Sequence, residues 1–229
     1  MKAIILAGGM GTRLRERVPD LPKPMAPVAG RPFLEFLLDC LIRGGVEEII
    51  LSVGYRADSI KQHFGESYCD LGLSYAVEDK PLGTGGAIAH ALKNEGHDPV
   101  LVLNGDTFLD LDYAAFIDWY LRSPTDVAMV LKEVCDVSRY GSVLVESGCV
   151  SGFFEKGGEG AGLINAGVYI LNPVVFEDID IQKNFSFETD LLQKNCNALS
   201  PRAFITDAYF IDIGIPSDYD RAQIELPIR

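Results

Sequence analysis

Short apolar runs alternate with stretches of helical spacing through the first 121 residues, and few architectures accommodate that pattern. Ala3 to Leu6 (AIIL), Val46 to Val53 (VEEIILSV) and Pro99 to Leu103 (PVLVL) are bounded by Gly, Asn or Pro, as strands buried on both faces of a parallel sheet would be. Phe33 to Ile42, Asp58 to Phe64, Gly86 to Leu92 and Ala114 to Leu121 carry the helical spacing. The alternation predicts right-handed βαβ units and an open α/β sheet with helices on both faces. Further on, Val127 to Val134, Gly141 to Val145, Cys149 to Glu155 and Leu163 to Leu171 read as strands with Gly turns, antiparallel additions to the same sheet. Gly157 to Gly162 is short enough for a hairpin loop. Phe187 to Asn197 reads as a helix with Ser186 at its N-cap and Glu188 in its first turn. A strand over Ala208 to Ile213 precedes Pro216, which opens a terminal helix at Ser217 to Ile224.

With 229 residues, 48% hydrophobic and 23% charged, the chain suits one globular domain better than two at about 150 residues per domain. No apolar run approaches the ~18 residues of a membrane span, and MKAIILA is too short for a secretory signal. Five cysteines, never spaced CxxC, read as reduced, mostly buried thiols in the cytoplasm. A net charge of -13 argues against nucleic acid or an anionic membrane as partner. Lys2, Arg13, Arg15, Arg17, Lys23 and Arg31 nevertheless face only Glu16 and Asp20 within the first 31 residues. That end is expected to suit a small anion.

The strongest chemical signal lies there. The first strand runs into LAGGMGTRLRERVPDLPKPM, at the carboxyl edge where open α/β sheets bind ligands. Gly8, Gly9 and Gly11 let successive N–H groups turn toward a phosphate chain. Thr12 adds a hydroxyl, and Arg13 a fork able to hold two phosphate oxygens. Leu14 stands where a dinucleotide fingerprint needs its third glycine, and no Gly-Lys-Ser/Thr follows. Lys23, stiffened by Pro22 and Pro24, reads as a point charge for a phosphate. A second cluster, EDKPLGTGGAIAHAL, runs from Glu78 through Pro81 and Gly83 into a helix starting near Thr84 or Gly85. Glycines there let a flat ring or a phosphate approach the backbone.

Asp106 in LNGD and Asp212 in DIG each end an apolar strand. Two carboxylates are too few for a metal cage but suit a Mg²⁺ that brings phosphate oxygens with it. Glu155 and Lys156, at the end of another expected strand, and Asn165 in INAGVY suit a phosphorylated polyol. The alternatives are plain: turn-forming aspartates, a solvated Glu78, an exposed Glu155–Lys156 pair. His63, His90 and His97 show no metal spacing, and no nucleophile elbow or Cys-His pair supports a hydrolase.

In order, GGMGTRL, PKPM, GRP (Gly30 to Pro32), PLGTGGAI, LNGD, EK, NAGVY and DIG resemble the sugar-1-phosphate nucleotidyltransferase family along nearly the whole chain. The resemblance implies a Rossmann-like, three-layer α/β/α single domain with a mostly parallel mixed sheet, of the nucleotide-diphospho-sugar transferase type. Residues 1–110 would form its nucleotide half and 111–229 its sugar-phosphate half. It implies that Leu6, Ala7, Gly8, Gly9, Gly11, Thr12, Arg13, Glu78, Pro81, Gly83, Thr84 and Asn104 bind the nucleotide. Lys23 would bridge the phosphates of both substrates, and Arg13, Lys23 and Asp106 would be catalytic. Asp106 and Asp212 would share Mg²⁺, while Gly141, Glu155, Lys156 and Asn165 would contact the sugar phosphate. Gly157 departs from the family's usual Pro after the EK lysine.

Within the family the chain is most similar to short members that use GTP and D-glycero-D-manno-heptose 1-phosphate. Pyrimidine-using relatives typically carry Gln at the Glu78 position; a carboxylate only accepts hydrogen bonds, which matches the adjacent N1–H and N2–H₂ donors of guanine. Uridylyl or thymidylyl transfer to N-acetylmuramic acid, glucose or mannose 1-phosphate is the alternative. A nicotinamide oxidoreductase is disfavoured by Leu14. A non-catalytic nucleotide sensor is disfavoured by the joint presence of Arg13, Lys23 and both aspartates.

Overall fold

Ile4 and Ile5 lie on opposite faces of the first strand and are both fully buried, because the chain packs helices against each face. The computed structural model describes all residues except Met10, Thr12, Arg13, Arg15, Glu16, Asn94, Asp178, Asp180 to Lys183 and Arg229. In chain order the first half comprises β1 (Ala3–Leu6), β2 (Pro27–Val28), β3 (Arg31–Pro32), α1 (Phe33–Arg43), β4 (Glu48–Val53), α2 (Ala57–Phe64), β5 (Ser67–Tyr68), β6 (Leu71–Val77), α3 (Gly83–Leu92), β7 (Val100–Asn104), β8 (Thr107–Leu109) and α4 (Tyr113–Arg122). The second comprises β9 (Val127–Val134), β10 (Val143–Glu146), β11 (Cys149–Phe153), β12 (Gly162–Leu171), a π-helical turn (Phe187–Gln193), α5 (Cys196–Leu199), β13 (Arg202–Thr206), β14 (Phe210–Asp212) and α6 (Pro216–Glu225).

Ten strands form one sheet in the order β10-β11-β13-β9-β12-β7-β1-β4-β6-β5. β6, β4, β1 and β7 are mutually parallel, as is the β9–β13 pair. The other pairings are antiparallel, so the antiparallel additions are as prominent as the parallel block. Alternate residues feed two cores. Ala3, Ile5 and Leu51 pack with α1, α2, α4 and α6 on one face, and Ile4, Ile50 and Val102 with α3, the π-helical turn and α5 on the other. The result is the expected three-layer α/β/α arrangement with a mixed sheet. Among the described residues no helix is long and apolar enough to cross a membrane.

Several expectations need correction. β6 and β13 were not foreseen. β6 alternates buried and exposed positions at Leu71, Gly72, Leu73 and Ser74, so it lacks a continuous apolar run. Gly157 to Gly162 is no hairpin loop, because β13 and β9 lie between β11 and β12. The expected 187–197 helix breaks: Ser186 does cap it, accepting from Thr189 N–H at 3.1 Å, but Asn195 turns its side chain back to the Leu191 carbonyl. β14 leaves the main sheet and pairs only with β8. Of the five free thiols Cys40 and Cys196 are buried and Cys149 is intermediate, whereas Cys69 and Cys135 are exposed.

Candidate active site

The β14 departure creates the site. After β7 the chain turns at Gly105, whose N–H bonds the Leu6 carbonyl of β1. A side chain on Gly105 would lie 2.5 Å from that oxygen, so only glycine lets the two strand ends come together. β8 follows, and its antiparallel register sets Asp212 opposite Thr107, with Ile213 N–H bonded to the Asp106 carbonyl at 3.1 Å. The two aspartates, 106 residues apart in sequence, thus end at one place. Lys23 reaches them from a buried 3₁₀ turn, Lys23–Met25. Its Nζ donates to Asp106 Oδ2 at 2.7 Å and to Asp212 Oδ1 at 3.4 Å. Gly214 N–H holds Asp212 Oδ1 at 2.7 Å. Lys23, Asp106 and Gly214, with Gly9 and Gly11, border a cleft of about 180 Å³ at the carboxyl end of β1.

An adjoining cavity of about 300 Å³ shares Leu6, Gly9 and Asp106 with the cleft and adds Gly8, Glu78, Pro81, Gly83, Thr84 and Asn104. Glu78 Oε2 accepts from Leu82 N–H at 3.0 Å and Oε1 from the Ser52 hydroxyl at 3.3 Å, which fixes the plane of the carboxylate. Gly8 is small for this reason: a Cβ there would stand 2.6 Å from Glu78 Oε1. Gly9 opens onto free space. Ala7 is buried and spends its N–H on the Ser52 carbonyl, so it shapes the loop from behind. Thr12 and Arg13 lie outside the described residues.

Gly141, Glu155, Lys156 and Asn165 border a third cavity of about 580 Å³ with Tyr140, Phe154 and Glu188. Glu155 and Lys156 lie beyond the end of β11 instead of within it. Asn165 Nδ2 donates to the fully buried Tyr169 hydroxyl at 2.7 Å. Burial and the neighbouring Glu188 carboxylate push the Tyr169 phenol well above its ordinary range, which keeps its proton in place. Glu188 also accepts from Ser186 and from Thr84 of the second cavity, and so joins the two spaces.

Three sequence features make contacts of their own. The space above Gly85 is filled by the Phe185 ring, which a Cβ would strike at 2.1 Å; Gly85 therefore serves packing against the segment just before the π-helical turn, while Gly83 borders the Glu78 cavity. Arg31 of the GRP step binds Glu35, Asp39 and Tyr68 and is absent from all three cavities. Among the described residues the N-terminal cations do not pool either: Lys2 pairs with Glu48 and Glu95, Arg17 with Asp220, and Lys23 with the two aspartates. Ser52 and Glu188 escaped the sequence reading. A lone serine inside the apolar strand ILSV was the available signal for Ser52, whereas Glu188 was absorbed by its role as a first-turn acid.

Two carboxylates facing one point offer the hard oxygen donors that Mg²⁺ takes. No larger group of His, Cys, Asp or Glu gathers among the described residues, so a cation seated there needs oxygen ligands from its substrate or from water. Asp106 and Asp212 fit a metal that comes with a polyphosphate.

Comparison with known proteins adds a separate line. The family model described as Nucleotidyl transferase matches residues 2–227. The D-glycero-alpha-D-manno-heptose 1-phosphate guanylyltransferase of Aneurinibacillus thermoaerophilus is 43% identical over 226 residues, spanning 99% of this chain and 98% of that protein. Its namesake from Campylobacter jejuni subsp. jejuni serotype O:2 is 45% identical over 223 residues, 96% and 97% of the two chains. The crystal structure of HddC from Yersinia pseudotuberculosis complexed with GMP-PN matches with a TM-score of 0.84 at 43% identity over 97% of both chains.

Proposed function

The chain belongs to the nucleotidyl transferase family, and on that premise we propose that it joins GTP to D-glycero-D-manno-heptose 1-phosphate, giving a GDP-sugar and pyrophosphate. The observation that carries this reading is the meeting of Lys23 with Asp106 and Asp212 beside a cavity that holds Glu78. A 1-phosphate oxygen of the sugar forms a bond to the α-phosphorus in line. The bond from that phosphorus to the bridging oxygen breaks, and its electron pair leaves with pyrophosphate. The nucleophile is already ionised at neutral pH, so the protein's work is alignment and relief of charge. Lys23 supplies a cation to the phosphates, with Arg13 from the glycine loop and Lys156 from the sugar side as its companions. Mg²⁺ held by Asp106 and Asp212 would neutralise and polarise the phosphates.

In this reading residues 1–110 and 111–229 are the nucleotide and sugar-phosphate halves of a single domain. Every residue that borders the Glu78 cavity falls in the first half and every residue bordering the larger one in the second. Glu78 faces guanine, and its fixed carboxylate would oppose the carbonyl of a pyrimidine. The choice of heptose rests on the two bacterial relatives. GTP and a sugar phosphate place the work in the cytoplasm, and a GDP-heptose would feed surface polysaccharide synthesis. The test is pyrophosphate release with Mg²⁺, each of GTP, UTP and dTTP, and heptose, mannose and glucose 1-phosphates. Fastest turnover with GTP and the heptose is expected. Equal or faster use of UTP or dTTP would overturn the guanine assignment, and a preferred hexose the sugar assignment.

A further inference from the structure

We propose that Lys23 is the resident counter-ion of the Asp106–Asp212 seat, and that it bars a bare divalent cation until a polyphosphate draws its ammonium away. The inference rests on the reading that these two aspartates hold the metal. A single nitrogen bonds both carboxylates, at 2.7 and 3.4 Å, so it stands where a shared cation would have to interpose. The surroundings hold it there. Lys23 is 9% exposed, and its backbone is pinned between Pro22 and Pro24, with Met25 N–H on the Pro22 carbonyl and Ala26 N–H on the Lys23 carbonyl. Asp212 is turned toward it by the Gly214 N–H. A Cβ at position 214 would lie 2.7 Å from Asp212 Oδ1 and 3.1 Å from Lys23 Nζ.

Charge opposes a bare dication at this seat. The two carboxylates and the ammonium sum to one negative charge, whereas a dication entering beside the ammonium makes the sum positive and sets like charges a few ångströms apart. Expelling the ammonium without a new partner forfeits two charge-assisted hydrogen bonds. A bare ion offers it nothing; a triphosphate offers anionic oxygens. The path is short, because the lysine stem already lies against the glycine loop: a Cβ on Gly11 would be 3.1 Å from Lys23 Cβ. Only the flexible side chain has to move. One residue thus keeps the seat closed to free metal and afterwards serves the phosphates.

The probe is Mn²⁺ on the full chain, followed by water proton relaxation enhancement, which reports protein-bound ion. Without nucleotide the wild type should bind Mn²⁺ weakly, and with GTP it should bind well. Lys23→Met, close in shape and uncharged, should raise nucleotide-free affinity by about tenfold or more, the factor by which an occupied seat depresses apparent affinity. Adding Asp106→Asn and Asp212→Asn should abolish the gain. Lys23→Gln is the second variant, with thermal unfolding confirming that both are folded. No gain in either folded variant, or equally tight binding by nucleotide-free wild type, overturns the proposal while leaving the metal site intact. Unchanged Mn²⁺ binding with GTP in the Asp106→Asn/Asp212→Asn protein would instead overturn the two-aspartate reading.

Discussion

Replacing Glu78 by Gln turns one fixed acceptor into a donor while leaving shape almost unchanged. Hydrogen bonds to charged groups contribute about 1.5 to 3 kcal/mol, so kcat/KM for GTP is expected to fall by roughly 10- to 100-fold in Glu78→Gln. The same assay with UTP should show no comparable loss; an unaltered preference for GTP would contradict the role of Glu78. The cysteines test burial at the same scale. Burial pushes the Cys40 thiol up to about 11, so its reactive thiolate is scarce at pH 8 and appears only as pH approaches that value. At pH 8 Ellman's reagent should titrate the exposed Cys69 and Cys135 quickly, and Cys40 only on unfolding. Rapid modification of Cys40 would contradict its burial. Chemistry-bearing residue types were legible one at a time: glycines, Lys23 between prolines, Glu78, two strand-ending aspartates. Their partners were not, since the carboxylates that meet Lys2, Arg17 and Lys23 arrive from residues 48 to 220.

Elements couple β14, which carries Asp212, to the loop that leads into the large cavity. Asp218 of α6, 3% exposed, binds Arg139 and Arg221. Arg139 immediately precedes Tyr140 and Gly141 of the large cavity, and Tyr140 packs edge-on against Phe210 of β14, two residues before Asp212. Asp218 is buried but both arginines are half-exposed, and hydrogen bonds to charged groups contribute about 1.5 to 3 kcal/mol, so Asp218→Asn should shift chemical denaturation accordingly and raise KM for the sugar phosphate more than for GTP. A loss below about 1 kcal/mol would place this pair among ordinary surface contacts. Strands with continuous apolar runs and capped helices were readable from the chain. β8 and β14, three residues each, were too short to signal their pairing, and β6 was masked by a solvent-facing side. Asn195 could be recognised as a helix breaker only once its side chain was seen on the Leu191 carbonyl.

At the scale of the molecule, one ten-stranded sheet carries the Glu78 cavity and the larger cavity at Glu155 on a common frame, and the β8–β14 ribbon brings the two aspartates together. The α/β class follows from the alternation of runs, but the convergence of Asp106 and Asp212 is a property of topology. Removing divalent metal should therefore abolish turnover without unfolding the chain, since backbone pairing joins β8 and β14; EDTA followed by circular dichroism and Mg²⁺ rescue checks it. Unfolding by EDTA would show a structural ion instead. The most direct measurement is anomalous diffraction from crystals grown with GTP and Mn²⁺. A peak liganded by Asp106 and Asp212, with the Lys23 ammonium moved onto phosphate oxygens, is the expected result. Manganese bound away from these carboxylates, with Lys23 still paired to both, would contradict it.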